Sequence, residues 1–212
     1  MPPVRRKRPG RYHHGDLRQA LIDTALQIID EDGTSAVTIR ALARRLGVSH
    51  AAPGYHFQDR EALLCEVATQ GFRMFADILE RAVEVKSDPA ERLLMAGKAY
   101  LRFAADHPSY LRVMFGRGFP EGFVPPESLR REEHRAFMPV YRAAAALAAT
   151  ESDPAPAKEV AFAAWSLVHG MAIIWLDGAA SDDLPNREAF EATGERILRR
   201  AIPSLARAQR CL

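Results

Sequence analysis

The stretch over residues 38–57, TIRALARRLGVSHAAPGYHF, decides the fold of this chain. Its apolar residues recur at i, i+3, i+4 and i+7, which is the spacing of one helix face: Ile39, Leu42, Ala43 and Leu46. The hydroxyl of Thr38 can cap this helix, and Gly47 suits the left-handed residue that ends many helices. Ser49 can then cap a second helix. The pattern predicts a helix-turn-helix, although an ordinary helical hairpin without a DNA-binding role has the same spacing.

Charge is distributed unevenly along the chain. The 212 residues are 48% hydrophobic and 26% charged, as in a globular protein, and the formal net charge is +2. Residues 1–60 hold ten Lys/Arg and six Asp/Glu, so positive charge is concentrated at the amino-terminal end. This predicts a polyanionic partner for that end. We expect residues 1–14 to be a disordered basic arm that either lies along DNA or stays a solvated tail.

Two further patterns concern the compartment. We expect no run of about 18–20 apolar residues, which is the length needed to cross a bilayer. The basic start is not followed by the apolar segment of a signal peptide. Cys65 and Cys211 form neither a disulfide framework nor a zinc motif. Cys65 lies in an apolar series and should be a buried thiol, with redox sensing as the alternative. These features predict a cytoplasmic protein without a membrane-bound part.

Helical periodicity continues through the rest of the chain, without an alternating strand pattern, and predicts an all-α fold. Asp59, Asp88 and Asn186 are expected to cap helices, and Pro203 to kink or end the last one. The glycines and prolines of residues 116–126 predict a loop. The expected helices, besides those of residues 38–57, cover residues 16–32, 60–84, 89–107, 108–115, 127–149, 158–177 and 187–203.

Four segments carry a resemblance to a known family: YHHGDLR at residues 12–18, TIRALA at 38–43, GVS at 47–49 and HFQDREALL at 56–64. Together they resemble the amino-terminal domain of the TetR (tetracycline-repressor-like) family of bacterial transcription regulators. Trp165, His169 and Gly170 resemble a Trp…His-Gly signature in one subgroup of its carboxy-terminal domains. The resemblance implies about nine helices, with a three-helix DNA-binding domain over residues 15–60 and a ligand-binding and dimerisation domain over residues 61–212.

The family likeness also implies a mechanism and a set of DNA contacts. A homodimeric repressor would bind a palindromic operator in double-stranded DNA and leave it when a small molecule binds. Gly54 departs from the pattern, because members often have a phosphate-contacting aromatic there; Tyr55 either replaces that contact or the contact is lost. The DNA-binding residues carried over from the family are Thr38, Arg40, Ser49, His50, Ala51, Ala52, Tyr55, His56 and Arg60.

Aromatic residues in the second half suggest an apolar or aromatic effector. The same residues would serve equally well in a plain core, and a lone His on an apolar helix is usually structural, so both interpretations stay open. The candidate ligand-binding residues are Phe72, Tyr100, Phe103, Phe115, Phe137, Tyr141, Trp165, His169 and Trp175.

Two other classes of protein fit the sequence less well. An enzyme or metalloprotein is disfavoured because the seven histidines show no metal-ligand spacing, and the chain has no phosphate-binding loop, nucleophile elbow or CxxC. We therefore expect no catalysis, metal or cofactor. An architectural DNA-binding protein without an effector would not need the long apolar helical region after residue 61. Effector, operator and the sign of regulation are not determined by the sequence.

Overall fold

The structure is a computed structural model that describes residues 14–84, 88–116 and 118–207. Over these residues the predicted all-α fold is confirmed, with eight α-helices, two short 3-10 helices and one isolated bridge between Pro154 and Arg207. The expected basic arm lies outside the described residues except for residue 14. The helices are α1 (His14–Asp32), α2 (Ile39–Leu46), α3 (Arg60–Glu84), α4 (Pro89–Asp106), α5 (Pro108–Phe115), α6 (Glu127–Ala148), α7 (Ala157–Leu176) and α8 (Arg187–Leu205).

Two compact units divide the chain, one ending at Leu64 and the other beginning at Cys65. In the first unit α1 packs against α2 and against a 3-10 helix at Thr34–Ala36. In the second, α4 packs against α5, α6, α7 and α8, and α7 also packs against α6 and α8. The predicted domain boundary at residue 60 stays a prediction.

Side-chain caps begin the later helices as predicted. The Asp59 carboxylate accepts a hydrogen bond from the backbone N–H of Ala62 at 2.7 Å. Asp88 and Asn186 each accept one from the third residue beyond them, both at 2.9 Å. Pro203 does not end α8, which runs on to Leu205. A proline in the last turn removes only one backbone hydrogen bond, and the end of a helix tolerates that loss.

Glycines allow α4 and α8 to approach closely. A Cβ atom on Gly97 would lie 2.6 Å from Cδ1 of Leu198, and one on Gly194 would collide with the side chain of Leu101. Each helix therefore receives a leucine of the other at a position without a side chain. Lys98 and Glu195 join the same two helices by an ion pair at 2.5 Å. This close packing determines one wall of the cavity described below.

Helix α7 corrects one expectation about membranes. Among the described residues it alone is long and apolar enough to cross a bilayer, judged by length and composition. From the sequence we expected no apolar run of this length. Core helices of soluble proteins pass the same test, and α7 packs against three other helices. Cys65 is buried, as predicted.

Candidate DNA-binding surface and ligand cavity

The first helix of the helix-turn-helix begins and ends as its sequence predicts. Thr38 is extended and its hydroxyl accepts a hydrogen bond from the backbone N–H of Ala41 at 3.1 Å. Gly47 is left-handed, with a φ of 66°, and ends α2. Leu42 and Ala43 are fully buried, so the predicted apolar face packs into the first unit. The local residues of α2 therefore determine both of its ends.

The second helix differs from the prediction. Residues 49–56, which we call the recognition segment, contain a four-residue 3-10 helix at Ala52–Tyr55 and no side-chain cap from Ser49. Pro53 has no N–H to donate and Gly54 is a poor helix former, so an α-helix is not favoured there. The Pro53 carbonyl instead accepts from the N–H groups of His56 and Phe57 at 2.9 and 3.0 Å.

This short segment is anchored on one side and exposed on the other. Pro53 and Phe57 are buried, and the Arg18 guanidinium lies 5.1 Å from the centre of the Phe57 ring. Tyr55 is 85% exposed, the highest value among the exposed large hydrophobic residues that the structure describes. A tyrosine this exposed contributes little to the core. It is available for an external partner that offers both a flat apolar surface and hydrogen-bond acceptors.

The predicted DNA-binding residues fall into two groups by exposure. Ala52, His56 and Arg60 are half-buried. Arg40 is exposed on α2, and within the described residues its guanidinium has no hydrogen bond or ion pair, whereas the nearby Arg45 is paired with Glu31. The exposed group comprises Thr38, Arg40, Ser49, His50, Ala51 and Tyr55.

Arg60 has a role that sequence reasoning did not identify. Its Nε donates to the carbonyl of Val37 at 2.9 Å and its Nη2 to the carbonyl of Thr34 at 2.9 Å. Its Nη1 lies 3.4 Å from Glu61. The half-buried guanidinium thus connects the start of α3 to the turn before α2. Its expected contact with phosphate stays a prediction. These partners precede Arg60 by 23 and 26 residues, so no local pattern indicates them.

An apolar cavity of about 400 Å³ lies in the second unit. This is within the range of small-molecule sites, which are mostly apolar with a few polar groups. Helices α3, α4, α6, α7 and α8 and the end of α5 all contribute to its wall. Its lining residues are Phe72, Phe75, Leu79, Leu93, Ala96, Gly97, Tyr100, Phe115, Arg130, Glu133, His134, Ala136, Phe137, Val140, Phe162, Ala164, Trp165, Val168, Leu198 and Ile202.

The structure brings five of the nine candidate ligand residues to this cavity: Phe72, Tyr100, Phe115, Phe137 and Trp165. The other four lie elsewhere. Phe103 is buried beside Phe75, Tyr141 lies against Phe137, His169 is bonded to Tyr100, and Trp175 stacks on Phe190 with ring centres 4.4 Å apart.

Sequence reasoning missed the polar residues of the cavity wall. Arg130, Glu133 and His134 are spaced i, i+3 and i+4 and therefore share one face of α6. That spacing could have indicated a common face. Which face of α6 borders a cavity depends on helix packing, and the sequence does not show it.

Tyr100 and His169 form a hydrogen-bonded pair at the cavity. The hydroxyl of Tyr100 lies 2.7 Å from Nδ1 of His169. Burial raises the pKa of Tyr100, and hydrogen bonding by Trp165 opposes this rise. Burial also lowers the pKa of His169. Both shifts favour the neutral forms of the two side chains.

No group of three or more His, Cys, Asp or Glu residues that could hold a metal ion is present in the part of the chain that the structure describes. An exposed helix-turn-helix and a helical unit with an apolar cavity define a class of DNA-binding regulators that respond to small molecules.

Comparison with known protein families identifies the family within this class. The family described as "Bacterial regulatory proteins, tetR family" matches residues 21–67, and the one described as "Tetracyclin repressor-like, C-terminal domain" matches residues 93–199. The chain belongs to the TetR family of bacterial regulatory proteins. The predicted resemblance is thereby confirmed at the level of the family.

Individual relatives agree with this assignment. The chain is 28% identical over 97 residues to the uncharacterized HTH-type transcriptional regulator YobS of Bacillus subtilis, covering 45% of this chain. It is 30% identical over 141 residues to the HTH-type transcriptional regulator BetI of Rhizobium meliloti, covering 66% of this chain. These matches span 50% and 60% of the two relatives. A solved structure of a protein of unknown function from Rhodococcus sp. RHA1 is 34% identical, with a TM-score of 0.69, and covers 89% of this chain and 96% of its own.

Proposed function

We propose that this protein is a transcriptional repressor that binds a palindromic operator as a homodimer and leaves it when a small apolar or aromatic molecule binds. The observation that supports this best is the exposed recognition segment beside α2, in a chain whose second unit has a cavity of about 400 Å³. Family membership favours a regulator over an enzyme, and we propose a cytoplasmic location. We also propose the domain division at residue 60 and membership of the Trp…His-Gly subgroup.

Arg40 and the recognition segment are the proposed DNA contacts. Arg40 can pair with a guanine edge or a phosphate, since its guanidinium is exposed on the first turn of α2. Ser49 and His50 can donate to bases or phosphates, and Ala51 can pack on a thymine methyl. Tyr55 supplies a phosphate contact in place of the aromatic residue that the family often has at the position of Gly54.

Release by a ligand requires that the cavity and the helix-turn-helix respond to each other. Helix α3 is one continuous helix that contributes Arg60 to the turn before α2, and Phe72 and Phe75 to the cavity wall. A ligand that alters the position of the later turns of α3 can thus change the start of α2. The factor by which the ligand lowers DNA affinity equals the factor by which DNA lowers ligand affinity, because the two binding events are thermodynamically linked.

Operator binding is tested by fluorescence anisotropy with labelled DNA from upstream of the protein's own gene. We expect a palindrome to bind and the affinity to fall by roughly 10³- to 10⁵-fold between 50 and 200 mM salt, because about 6–10 phosphate contacts release counterions. A scrambled fragment of equal length is the control. Equal affinity for both fragments without salt dependence would contradict the proposal. An architectural protein would bind in the same way but would not respond to any cavity ligand.

Dimerisation is expected through α7 and α8. Phe162 and Ile174 of α7 are 43% and 47% exposed, and Ile197 of α8 is 37% exposed. Phe162, Gly170 and Ile174 share one face of α7, and a Cβ on Gly170 would meet no atom within 4 Å. This face therefore has apolar side chains and room for the close approach of a second helix.

Ile174→Glu is expected to convert the dimer to a monomer at micromolar concentration, because the charge would be buried without a partner at the interface. Light scattering measures the molar mass. Val124→Glu is the matched control, since Val124 is 73% exposed but lies in the loop before α6. A dimeric Ile174→Glu variant, or a monomeric unmodified chain, would exclude this interface.

A further inference from the structure

The interior of the cavity has few polar groups. The ionisable side chains Arg130, Glu133 and His134 all occupy exposed positions on α6. Among the described lining residues Tyr100 alone has a hydroxyl, and it is only 4% exposed. The remaining wall is aliphatic or aromatic, apart from the indole N–H of Trp165. Orientation of a ligand inside the cavity therefore depends chiefly on Tyr100.

Neighbouring rings locate the hydroxyl of Tyr100. It is 2.7 Å from Nδ1 of His169, and the His169 ring centre lies 5.1 Å from that of Phe115 and 5.6 Å from that of Trp165. Phe115 and Trp165 both line the cavity, whereas His169 does not. The hydroxyl thus bonds His169 beside two rings, those of Phe115 and Trp165, that line the cavity.

The direction of the hydrogen bond between Tyr100 and His169 follows from which donors have an acceptor when no ligand is bound. If His169 donated to Tyr100, the phenolic proton would need another acceptor, and no lining side chain beside it provides one. An unsatisfied buried donor costs about 1–3 kcal/mol. If Tyr100 donates to a neutral His169, its proton is satisfied. The phenolic oxygen then keeps two lone pairs, of which the indole of Trp165 can use one.

We propose that the cavity binds a neutral aromatic compound with a hydroxyl group, such as a phenol with an apolar substituent, and that the ligand's hydroxyl donates to the oxygen of Tyr100. This inference rests on the ligand-binding function proposed above and specifies its ligand. His169 is a positioning residue, because it accepts the Tyr100 proton and thereby leaves a lone pair of the phenolic oxygen for the ligand's hydroxyl.

The aromatic wall and the absence of charged side chains among the described residues of the interior narrow the class of ligand further. Phe72, Phe115 and Trp165 can pack edge-to-face or in offset stacks with an aromatic ring, which adds to the burial of apolar area. A carboxylate would lose its hydration without a cation in the interior, and this is unfavourable. At the exposed end Arg130 is already paired with Glu127 at 2.7 Å. A lipophilic anion should therefore bind less well than the matching phenol.

Three matched probes test the proposal: 4-butylphenol, its methyl ether 4-butylanisole, and 4-butylbenzoate. Isothermal titration calorimetry on the full chain without DNA measures their dissociation constants. We expect the phenol to bind roughly 2- to 13-fold more tightly than the ether, from one hydrogen bond of about 0.5–1.5 kcal/mol at ~1.4 kcal/mol per tenfold, and the benzoate to bind more weakly than the phenol. Tyr100→Phe should remove the preference for the phenol over the ether. Tyr141→Phe should keep it, because Tyr141 does not line the cavity.

Equal or tighter binding of the ether would overturn the proposal, as would a Tyr100→Phe variant that keeps the preference. Failure of all three probes to bind would overturn the ligand class. If Tyr100→Phe does not fold, by circular dichroism, the comparison of phenol and ether on the unmodified chain still decides. Failure of the regulator function appears in a separate measurement, because calorimetry contains no DNA. A phenol that binds with the expected preference supports the site even if it does not release the operator.

Discussion

Arg40→Ala is expected to lower operator affinity by roughly 30- to 20,000-fold while the protein stays folded. A bidentate arginine–guanine pair contributes about 1–3 kcal/mol, and a dimer presents two copies, so the loss is about 2–6 kcal/mol at ~1.4 kcal/mol per tenfold. Arg40 is exposed, and within the described residues it has no protein partner whose loss would unfold α2. Fluorescence anisotropy at fixed salt measures the affinity.

One further variant shows whether Arg40 contacts a base or a phosphate, and a second variant is the control. Arg40→Lys keeps the charge but cannot form the bidentate pair, so it should lose sequence preference if Arg40 reads guanine and keep nearly full affinity if it contacts only phosphate. Arg142→Ala removes an exposed arginine of α6 and is the charge-matched control. Unchanged operator affinity of Arg40→Ala would remove this residue from the DNA-binding site.

Arg60→Lys is expected to loosen the start of α2 although the charge is unchanged. Lysine has a single ammonium group and cannot bond the carbonyls of Val37 and Thr34 in the planar arrangement of the guanidinium. Loss of hydrogen bonds from a charged donor costs about 1.5–3 kcal/mol each. We expect backbone amides of residues 39–46 to exchange roughly tenfold faster or more in hydrogen-exchange measurements.

The controls for Arg60→Lys use both units of the chain. Both tryptophans, Trp165 and Trp175, lie in the second unit. The urea concentration at the midpoint of their fluorescence transition should therefore be the same in Arg60→Lys as in the unmodified chain. Arg44→Lys, an exposed substitution on α2, should leave amide exchange unaltered. If Arg60→Lys preserved exchange rates and changed only the salt dependence of operator binding, the family-based role as a phosphate contact would be correct instead.

The recognition segment shows how far local sequence reasoning extends. Pro53 and Gly54 were identified from the sequence as poor in a helix interior, and the structure has a 3-10 helix there. The sequence did not show that Pro53 would be buried while Tyr55 projects with 85% of its surface exposed. That outcome depends on how the segment packs against the rest of the first unit.

What the sequence determined by itself is several of the helix ends. Thr38, Gly47, Asp88 and Asn186 act within a few residues of their own position, through side-chain caps and a left-handed backbone, so local chemistry is sufficient. Helical periodicity likewise predicted the all-α class, because an apolar face recurs at a fixed spacing.

Only the tertiary structure decided which side chains meet. Arg60 bonds carbonyls 23 and 26 residues away, and Tyr100 meets His169 across 69 residues. Five of nine candidate residues line the cavity and Trp175 does not, although all nine have aromatic rings. Burial favours any packing that removes apolar surface from water, whereas the particular neighbours depend on how the helices cross. That is why the helices could be predicted from the sequence and the composition of the cavity wall could not.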